Sequence, residues 1–223
     1  AQAYVTHWSS LQSLIAADGV SGSASGPNAT FNPLATQSVA LANGRIITVW
    51  LQAGPSQAGW APSTNQIFSS EYVPAHGDLD AAWTTPVLRY TLANTNSVWR
   101  QFSDLRAVKM SDYSVGFAFV RTDILSNSTV SSKHVYAFSA SSAESLNSTT
   151  VFKDPVRVST ANFNDTVGVG GYNNEMTIAF SSSSTLLGAK TFSTMKYEPA
   201  TQDLTAMAMP TVDAGKTLVS MSQ

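Results

Sequence analysis

Three side chains capable of acid–base or metal chemistry lie close together in the stretch HGDLDAAW, residues 76–83. His76, Asp78 and Asp80 occupy alternate positions, and alternate side chains of an extended segment point the same way. Carboxylate oxygens presented on one side of a segment are ligands that Ca²⁺ prefers. We therefore predict a candidate metal site at these three residues. The alternative is a polar loop that leads into a strand.

Trp60, in QAGWAPSTN (residues 57–65), is the candidate for ligand binding. It lies in a long polar segment, and an indole ring exposed there would offer an amphipathic face to a sugar or to a partner protein. The alternative is a tryptophan that folds back on its own sheet.

Catalytic motifs are not found at the spacing that they require. Fourteen acids are spread along the chain, and no pair recurs at matching positions, as two-carboxylate glycoside hydrolysis would need. The segment GVSGSASG (19–26) does not contain G-x-S-x-G, and the absence of cysteine excludes thiolate nucleophiles and zinc–thiolate sites. We predict a protein that is not an enzyme and has no cofactor, with a propeller glycoside hydrolase as the lowest-ranked alternative.

Four N-x-[ST] sequons, at Asn28, Asn127, Asn147 and Asn164, offer sites for N-glycosylation. All four lie in polar, turn-like segments, although a chain rich in Asn, Ser and Thr also produces unused sequons by chance. Charged residues make up 12% of the chain, against roughly 25% in a typical soluble domain. This composition is common in secreted surface proteins, so we predict an extracellular or cell-surface glycoprotein.

The charge pattern argues against two classes of partner. The net charge is −2, and the twelve Lys and Arg residues are scattered rather than clustered into the basic patch that nucleic acid requires. No run of 18 apolar residues is present, so we expect no membrane span. The first residues do not resemble a signal peptide, which fits either a mature chain or an internal fragment.

The elements that position these residues are predicted to be β-strands, because short β-rich runs alternate with Gly, Asn, Ser and Pro clusters. SVALANGRIITVW (38–50) aligns with RAVKMSDYSVGFAF (106–119) and VGVGGYNNEMTIAF (167–180). Each copy has a short strand, a two-residue turn and a strand that ends on a large aromatic residue. The turn pairs are Asn43-Gly44, Asp112-Tyr113 and Asn173-Asn174, and the aromatic residues are Trp50, Phe119 and Phe180. Tight hairpin turns favour Asn and Gly, and Tyr113 fits them poorly.

A third and a fourth strand are predicted after each hairpin. The third strands are placed at 66–73, 134–140 and 189–197, and the fourth, each with a proline, at 84–90, 153–159 and 208–212. Pro86 and Pro155 are 69 residues apart, which is also the offset between the first two hairpins. Because proline is confined to edge strands, the fourth strand is predicted to be outermost.

Four antiparallel strands per unit describe a β-propeller blade. We predict an all-β, β-propeller-like array of four-stranded antiparallel blades in one domain (1–223), with a β-sandwich as the alternative. Three blades are placed at about 36–92, 104–160 and 165–213, with a partial blade at 1–30 and an extra strand at 216–223. Propellers mostly need four or more blades, so either an irregular ring closes by pairing the termini or the chain belongs to a larger propeller.

The segment FNPLATQSVALANGRIITVWLQ (31–52) resembles the β-propeller-like repeats of very large extracellular surface proteins of bacteria and protists. These have an Asn-Pro lead, an Ala-Leu strand, a Gly turn and a Val-rich strand that ends on Trp. The resemblance implies a structural or adhesive role. We predict a secreted, N-glycosylated module that contacts other protein chains in a homo- or hetero-oligomer. The alternative is a carbohydrate-binding, lectin-like propeller that binds glycans through Trp60.

Overall fold

The computed structural model describes residues 34–54 and 63–207. These residues form fourteen strands and no helix, so the predicted all-β class is confirmed. Runs rich in β-branched and aromatic residues, such as IITVWLQA at Ile46–Ala53, favour this outcome because their side chains suit a pleated, buried surface. Among the described residues, no helix is long and apolar enough to cross a membrane.

The strands are numbered in chain order. They are β1 (Leu34–Ala40), β2 (Ile46–Ala53), β3 (Thr64–Val73), β4 (Ala82–Trp83), β5 (Val87–Thr91), β6 (Val98–Ser111), β7 (Ser114–Leu125), β8 (Val130–Ser141), β9 (Val151–Phe152), β10 (Val156–Arg157), β11 (Phe163–Tyr172), β12 (Glu175–Ser183), β13 (Thr191–Glu198) and β14 (Asp203–Met207).

The strands follow the chain as three successive antiparallel meanders. In the first meander (residues 34–91), β1, β2 and β3 are neighbours, and β4 and β5 both pair with the outer side of β3. The second meander (98–157) repeats this order with β6, β7 and β8, followed by β9 and β10 on β8. The third meander (163–207) runs from β11 to β14, and one parallel pairing between β11 and β8 joins it to the second. Within the described residues, the chain thus forms a five-stranded and a nine-stranded sheet, both open.

The fourth strand of the first two meanders is interrupted at a proline. Pro86 lies between β4 and β5, and Pro155 lies between β9 and β10. A proline has no N–H to donate to a ladder, so the strand breaks there while its flanking residues still pair with the third strand. This agrees with the prediction that the proline-bearing segment lies outermost in its unit.

The fourth strand of the third meander lies earlier than predicted. β14 ends at Met207, whereas the sequence alignment placed this strand at 208–212, which is outside the described residues. A short turn follows β13, and the N–H of Gln202, at φ 63°, donates to the carbonyl of Glu198 over 2.8 Å. The alignment left residues 198–207 between the third and fourth strands, and β14 lies within this interval.

The first two strands of each meander (β1–β2, β6–β7 and β11–β12) form a hairpin, here called the inner hairpin. Two of the inner hairpins have two-residue turns, and these turns are of different kinds. Asn173 and Asn174 both adopt positive φ, 48° and 61°, as a type I′ turn requires. Asp112 and Tyr113 do not adopt positive φ, and a shift in register between β6 and β7 just before the turn accommodates them. The poor fit of Tyr113 to a left-handed turn is therefore resolved by a different turn.

The Asn43-Gly44 pair lies in a longer loop than the predicted two-residue turn. The N–H of Leu41 donates to the carbonyl of Arg45 over 2.8 Å, which encloses three residues. Gly44, at φ 80°, takes the left-handed position, as expected of a type I turn followed by a left-handed residue.

The tips of the three inner hairpins meet at one end of the stack. The N–H of Ala42 in the first meander donates to the carbonyl of Asp112 in the second over 2.9 Å. The N–H of Asn174 in the third meander donates to the carbonyl of Met110 over 3.2 Å, and its side-chain oxygen accepts a hydrogen bond from Ser114. The second meander is therefore bonded to both of its neighbours through the turns.

Both faces of the second meander are buried. Side chains alternate between the faces of a strand, so Phe117 and Phe119 of β7 face the first meander, whereas Ala118 and Val120 face the third. The first cluster comprises Leu41, Ile47, Val49, Leu51, Ile67, Phe102, Leu105, Val115, Phe117, Phe119, Phe138 and Ala140. The second comprises Met110, Ala118, Val120, Val135, Ala137, Val158, Val167, Met176, Ile178, Phe180 and Tyr197. The three meanders thus stack in chain order as three layers.

The large aromatic residues that the alignment matches in the second strands all point away from the next meander along the chain. Phe119 faces the first meander, and Phe180 faces the second. The neighbours of Trp50 on β2 contact the second meander, so Trp50 points to the opposite face of the first. Trp50 is 1% exposed and stacks on Phe68 with ring centroids 5.9 Å apart. Its role is therefore packing.

Gly171 of β11 allows the first strand of the third meander to approach β6, the first strand of the second meander. A Cβ at this position would lie 2.1 Å from the carbonyl oxygen of Lys109, a backbone atom that cannot swing away. We expect Gly171→Ala to lower the free energy of unfolding by about 1–3 kcal/mol, measured by urea denaturation. Gly77→Asn is the control, because a Cβ there meets nothing within 4 Å and Asn tolerates its φ of 54°. Equal losses in both variants would contradict the close approach.

Candidate functional site

The predicted metal ligands lie in a tight turn rather than in an extended segment. His76 and Leu79 exchange two backbone hydrogen bonds of 3.0 Å, and the His76 Nδ1 contacts the carbonyl of Pro74 at 2.8 Å. Because the segment turns, it does not have the extended geometry that would place His76, Asp78 and Asp80 on one face. Within residues 34–54 and 63–207, no group of three His, Cys, Asp or Glu side chains could hold a metal ion. The described structure therefore gives no support to a metal site at His76, Asp78 and Asp80, which stays a prediction from the sequence.

Two of the predicted site residues lie outside the described residues. These are Trp60, the predicted ligand-binding residue, and Asn28, the first sequon. The partial blade predicted at 1–30 and the extra strand predicted at 216–223 also lie outside them.

Two sequons are exposed, at opposite ends of the second meander. Asn127 lies in the turn between β7 and β8, and its side-chain oxygen accepts a hydrogen bond from the N–H of Thr129 over 3.0 Å. Asn147 lies in the loop between β8 and β9. Because these two connections flank the same strand, glycans on them would project from opposite ends of the stack. Both side chains are accessible for modification.

Asn164 is buried, and its side chain is fully used in hydrogen bonds. Its Nδ2 donates to the carbonyls of Lys133 and Ala161, over 2.7 and 3.1 Å, and to Ser159 Oγ over 3.0 Å. Its Oδ1 accepts a hydrogen bond from Ser182 over 2.9 Å, and the residue is 0% exposed. A glycan linked to Nδ2 has no space here and would break these bonds. Glycosylation of Asn164 would therefore require the fold to open around this side chain.

Two partly buried acids, Asp123 of the second meander and Asp165 of the third, pair with cations. Asp123 binds the guanidinium of Arg121 through both oxygens, over 2.8 and 2.6 Å. Asp165 contacts Lys190 and Lys133, and hydrogen bonds from these two ammonium groups hold the pKa of Asp165 below its usual range. A cation, rather than the second carboxylate of a glycosidase pair, therefore lies beside each of these acids.

His134, in β8, is buried and hydrogen-bonded to the backbone. It is 8% exposed, and its Nδ1 lies 3.0 Å from the carbonyl of Ala161. Burial lowers the pKa of His134, and the positive charge of Arg157 adds to this effect. The imidazole therefore packs within the fold, and its Nδ1–H donates to the backbone.

A buried polar cluster joins the first meander to the second. Arg45 and Glu71, with side chains 6% and 8% exposed, form an ion pair with 3.2 Å between Nη1 and Oε2. The hydroxyl of Thr150 donates to the same carboxylate oxygen over 2.6 Å. The Arg45 Nη2 donates to the carbonyls of Leu146 and Ser148, both over 2.6 Å. Arg45 therefore holds the inner hairpin of the first meander to the β8–β9 loop of the second.

The sequence prediction did not include this cluster. Glu71 lies 26 residues from Arg45, and Thr150 lies 79 residues from Glu71, so no local motif connects them. The available signal was an acid within the alternating third strand QIFSSEYV, since charged residues are almost never fully buried unless they are paired.

Comparison with known proteins supplies no function for the chain: no protein-family model matches it, and no curated protein matches it. The described residues define an all-β protein built from three consecutive, stacked meanders. The function is therefore inferred from the arrangement of these meanders and from the side chains that they expose.

Proposed function

We propose that this protein is a secreted, N-glycosylated, non-catalytic module with a structural or adhesive role in an extracellular assembly. Its meanders would act as blades of a β-propeller-like array. The observation that carries the proposal is the recurrence of the same packing, in which each meander stacks face to face on the preceding one and the hairpin tips meet at one end. Repeated units that contact their sequence neighbours build extended scaffolds with continuous cores.

The stacking order favours a propeller-like array over a two-layer sandwich. A sandwich buries one face of each of two sheets, whereas here both faces of the second meander are buried. Its innermost strand, β6, contacts β1 and β3 of the first meander and β11 of the third. A central strand that contacts the inner strands of both neighbours is expected near the axis of a propeller.

The outward face of the third meander offers a surface for another protein chain. Tyr172, which is 77% exposed, shares this face with Phe192 and Met207, both partly exposed. The corresponding faces of the first two meanders are covered by the next meander along the chain. By the same packing rule, further protein of the assembly, in a homo- or hetero-oligomer, would cover this face.

Protein isolated from its natural source tests the proposal. We expect glycopeptide mapping to find glycans on Asn127 and Asn147, because both are exposed, and an unmodified Asn164, because it is buried. Light scattering on the same material should give a mass above that of one glycosylated chain. Unmodified Asn127 and Asn147 together with a monomeric mass would refute the proposal, and a glycan on Asn164 would contradict the fold around it.

A further inference from the structure

A cleft opens between the outer strands of the first and second meanders. Arg89 and Tyr90 of β5 form one wall, and Phe152 of β9 with Lys153 and Asp154 forms the other. Its volume is about 220 Å³, below the range of roughly 300–1,000 Å³ that is typical of sites for drug-sized ligands. The cleft therefore suits a group of about one ring.

Arg89 is held in a fixed orientation in this cleft. Its Nε donates to the hydroxyl of Ser69 over 2.7 Å, and its guanidinium carbon lies 3.9 Å from the centroid of the Phe152 ring. In the described part of the chain, its two terminal nitrogens form no hydrogen bond or ion pair. The guanidinium is therefore oriented by one hydrogen bond and one stacking contact, while its terminal donors remain available.

The charge of Arg89 is incompletely compensated. Burial lowers the pKa of Arg89, and the charge of Glu71 offsets part of this effect. A partly buried cation that forms no close ion pair carries a desolvation cost that a bound anion would reduce. Binding an anion at this position would therefore stabilise both the ligand and the side chain.

The other groups of the cleft suggest what kind of anion fits. Lys153 supplies a second cation and Asp154 one acid, so the cleft has a net positive charge. A planar guanidinium matches a carboxylate through two parallel N–H bonds. The aromatic side chains of Tyr90 and Phe152 also line the cleft and give it apolar surface beside the cations.

We propose that this cleft binds a carboxylate carried on a single ring, with Arg89 as the main ligand and Lys153 as the second. The carboxylate belongs to either a uronic acid or an aromatic acid. The site is independent of the proposed structural role, and glycosylation or oligomerisation of the protein does not bear on it.

Titration of the ¹⁵N-labelled full chain, followed by NMR, tests the site. Glucuronate and benzoate are the two probes, and glucose is the neutral control of the same size as glucuronate. We expect at least one probe to give saturable shifts at the Arg89 Nε–H and the Lys153 amide, with a dissociation constant in the millimolar range. Whichever probe binds more tightly identifies the ring. Shifts of the same size with glucose, or saturable shifts with neither probe, would overturn the proposal.

Two variants of Arg89 separate binding from folding. Arg89→Met removes the charge and should weaken binding by about tenfold or more, as expected when charged hydrogen bonds are lost. Arg89→Lys keeps the positive charge but loses the planar pair of N–H donors. This variant should retain part of the affinity and the contact with Phe152. Wild-type affinity in a folded Arg89→Met or Arg89→Lys protein would contradict the proposal.

Arg157→Met is the matched control for Arg89→Met. Arg157 lies on β10, and its guanidinium already donates to the carbonyls of Ser159 and Thr160, over 2.7 and 3.0 Å. We expect probe binding to be unchanged in this variant. Equal loss of binding in Arg157→Met and Arg89→Met would show a nonspecific charge effect and would overturn the assignment.

Discussion

Glu71→Gln is expected to lower the free energy of unfolding by about 3–5 kcal/mol, because it leaves the guanidinium of Arg45 buried without a counterion. The substitution preserves the shape of the side chain and removes its charge. Arg45 retains its bonds to the carbonyls of Leu146 and Ser148, but neither carries a full negative charge. Urea denaturation of the variant and the wild type measures the loss.

Glu175→Gln provides the matched control for Glu71→Gln. Glu175 pairs with Lys196 over 2.8 Å, but the two side chains are 36% and 32% exposed. A solvent-exposed pair of this kind contributes about 0.2–1 kcal/mol, so the same substitution should have a small effect here. If both variants lost the same stability, the Arg45–Glu71 pair would not hold the two meanders together.

A double variant tests whether Arg45 and Glu71 act as a unit. Arg45→Met with Glu71→Leu removes both charges, so no uncompensated charge remains buried. The double variant should lose less stability than the sum of the losses in Arg45→Met and Glu71→Leu measured separately, by about 1–3 kcal/mol. Strictly additive losses would mean that the two charges do not interact in the folded protein.

The positions of the strands were largely predictable because their signals are local. The alternation of side chains in GRIITVW and in HVYAFSA reports which residues share a face, whatever lies against them. Proline excludes a residue from donating to a ladder, so Pro86 and Pro155 marked the outermost strands correctly. The alignment required a proline in the fourth strand and therefore selected 208–212, outside the described residues, whereas β14, which already pairs with β13, contains no proline.

The candidate site was less predictable because its geometry depends on contacts between distant segments. His76, Asp78 and Asp80 share a face only if the chain is extended, and the hydrogen bonds between His76 and Leu79 bend it instead. The sequon at Asn164 carries no sign that a neighbouring meander will cover it. In both cases the local pattern is present in the sequence, but the environment of the residues depends on contacts that the pattern does not carry.

Phe119→Ala is expected to lower the free energy of unfolding by about 3–5 kcal/mol, the range for removing a buried aromatic side chain. Phe119 is 0% exposed, and its ring lies 5.0 Å from that of Phe102, 5.6 Å from Tyr136 and 6.4 Å from Tyr90, between centroids. Tyr90 belongs to the first meander and the others to the second. The cavity would therefore open between two meanders, and not within one of them.

Phe192→Ala is the control, because Phe192 is 40% exposed on β13 and its truncation should cost less than about 1 kcal/mol.

The location of the Phe119 cavity predicts a second effect, which hydrogen exchange can measure. Loss of the interface should accelerate exchange in β2 and β3, which pack on this ring cluster from the first meander, more than in β12 and β13. A uniform increase along the chain would mean that the meanders unfold only together, since local opening would then never precede global unfolding. An increase confined to the first meander would show that its contact with the second is a separable interface, as an array of stacked repeats requires.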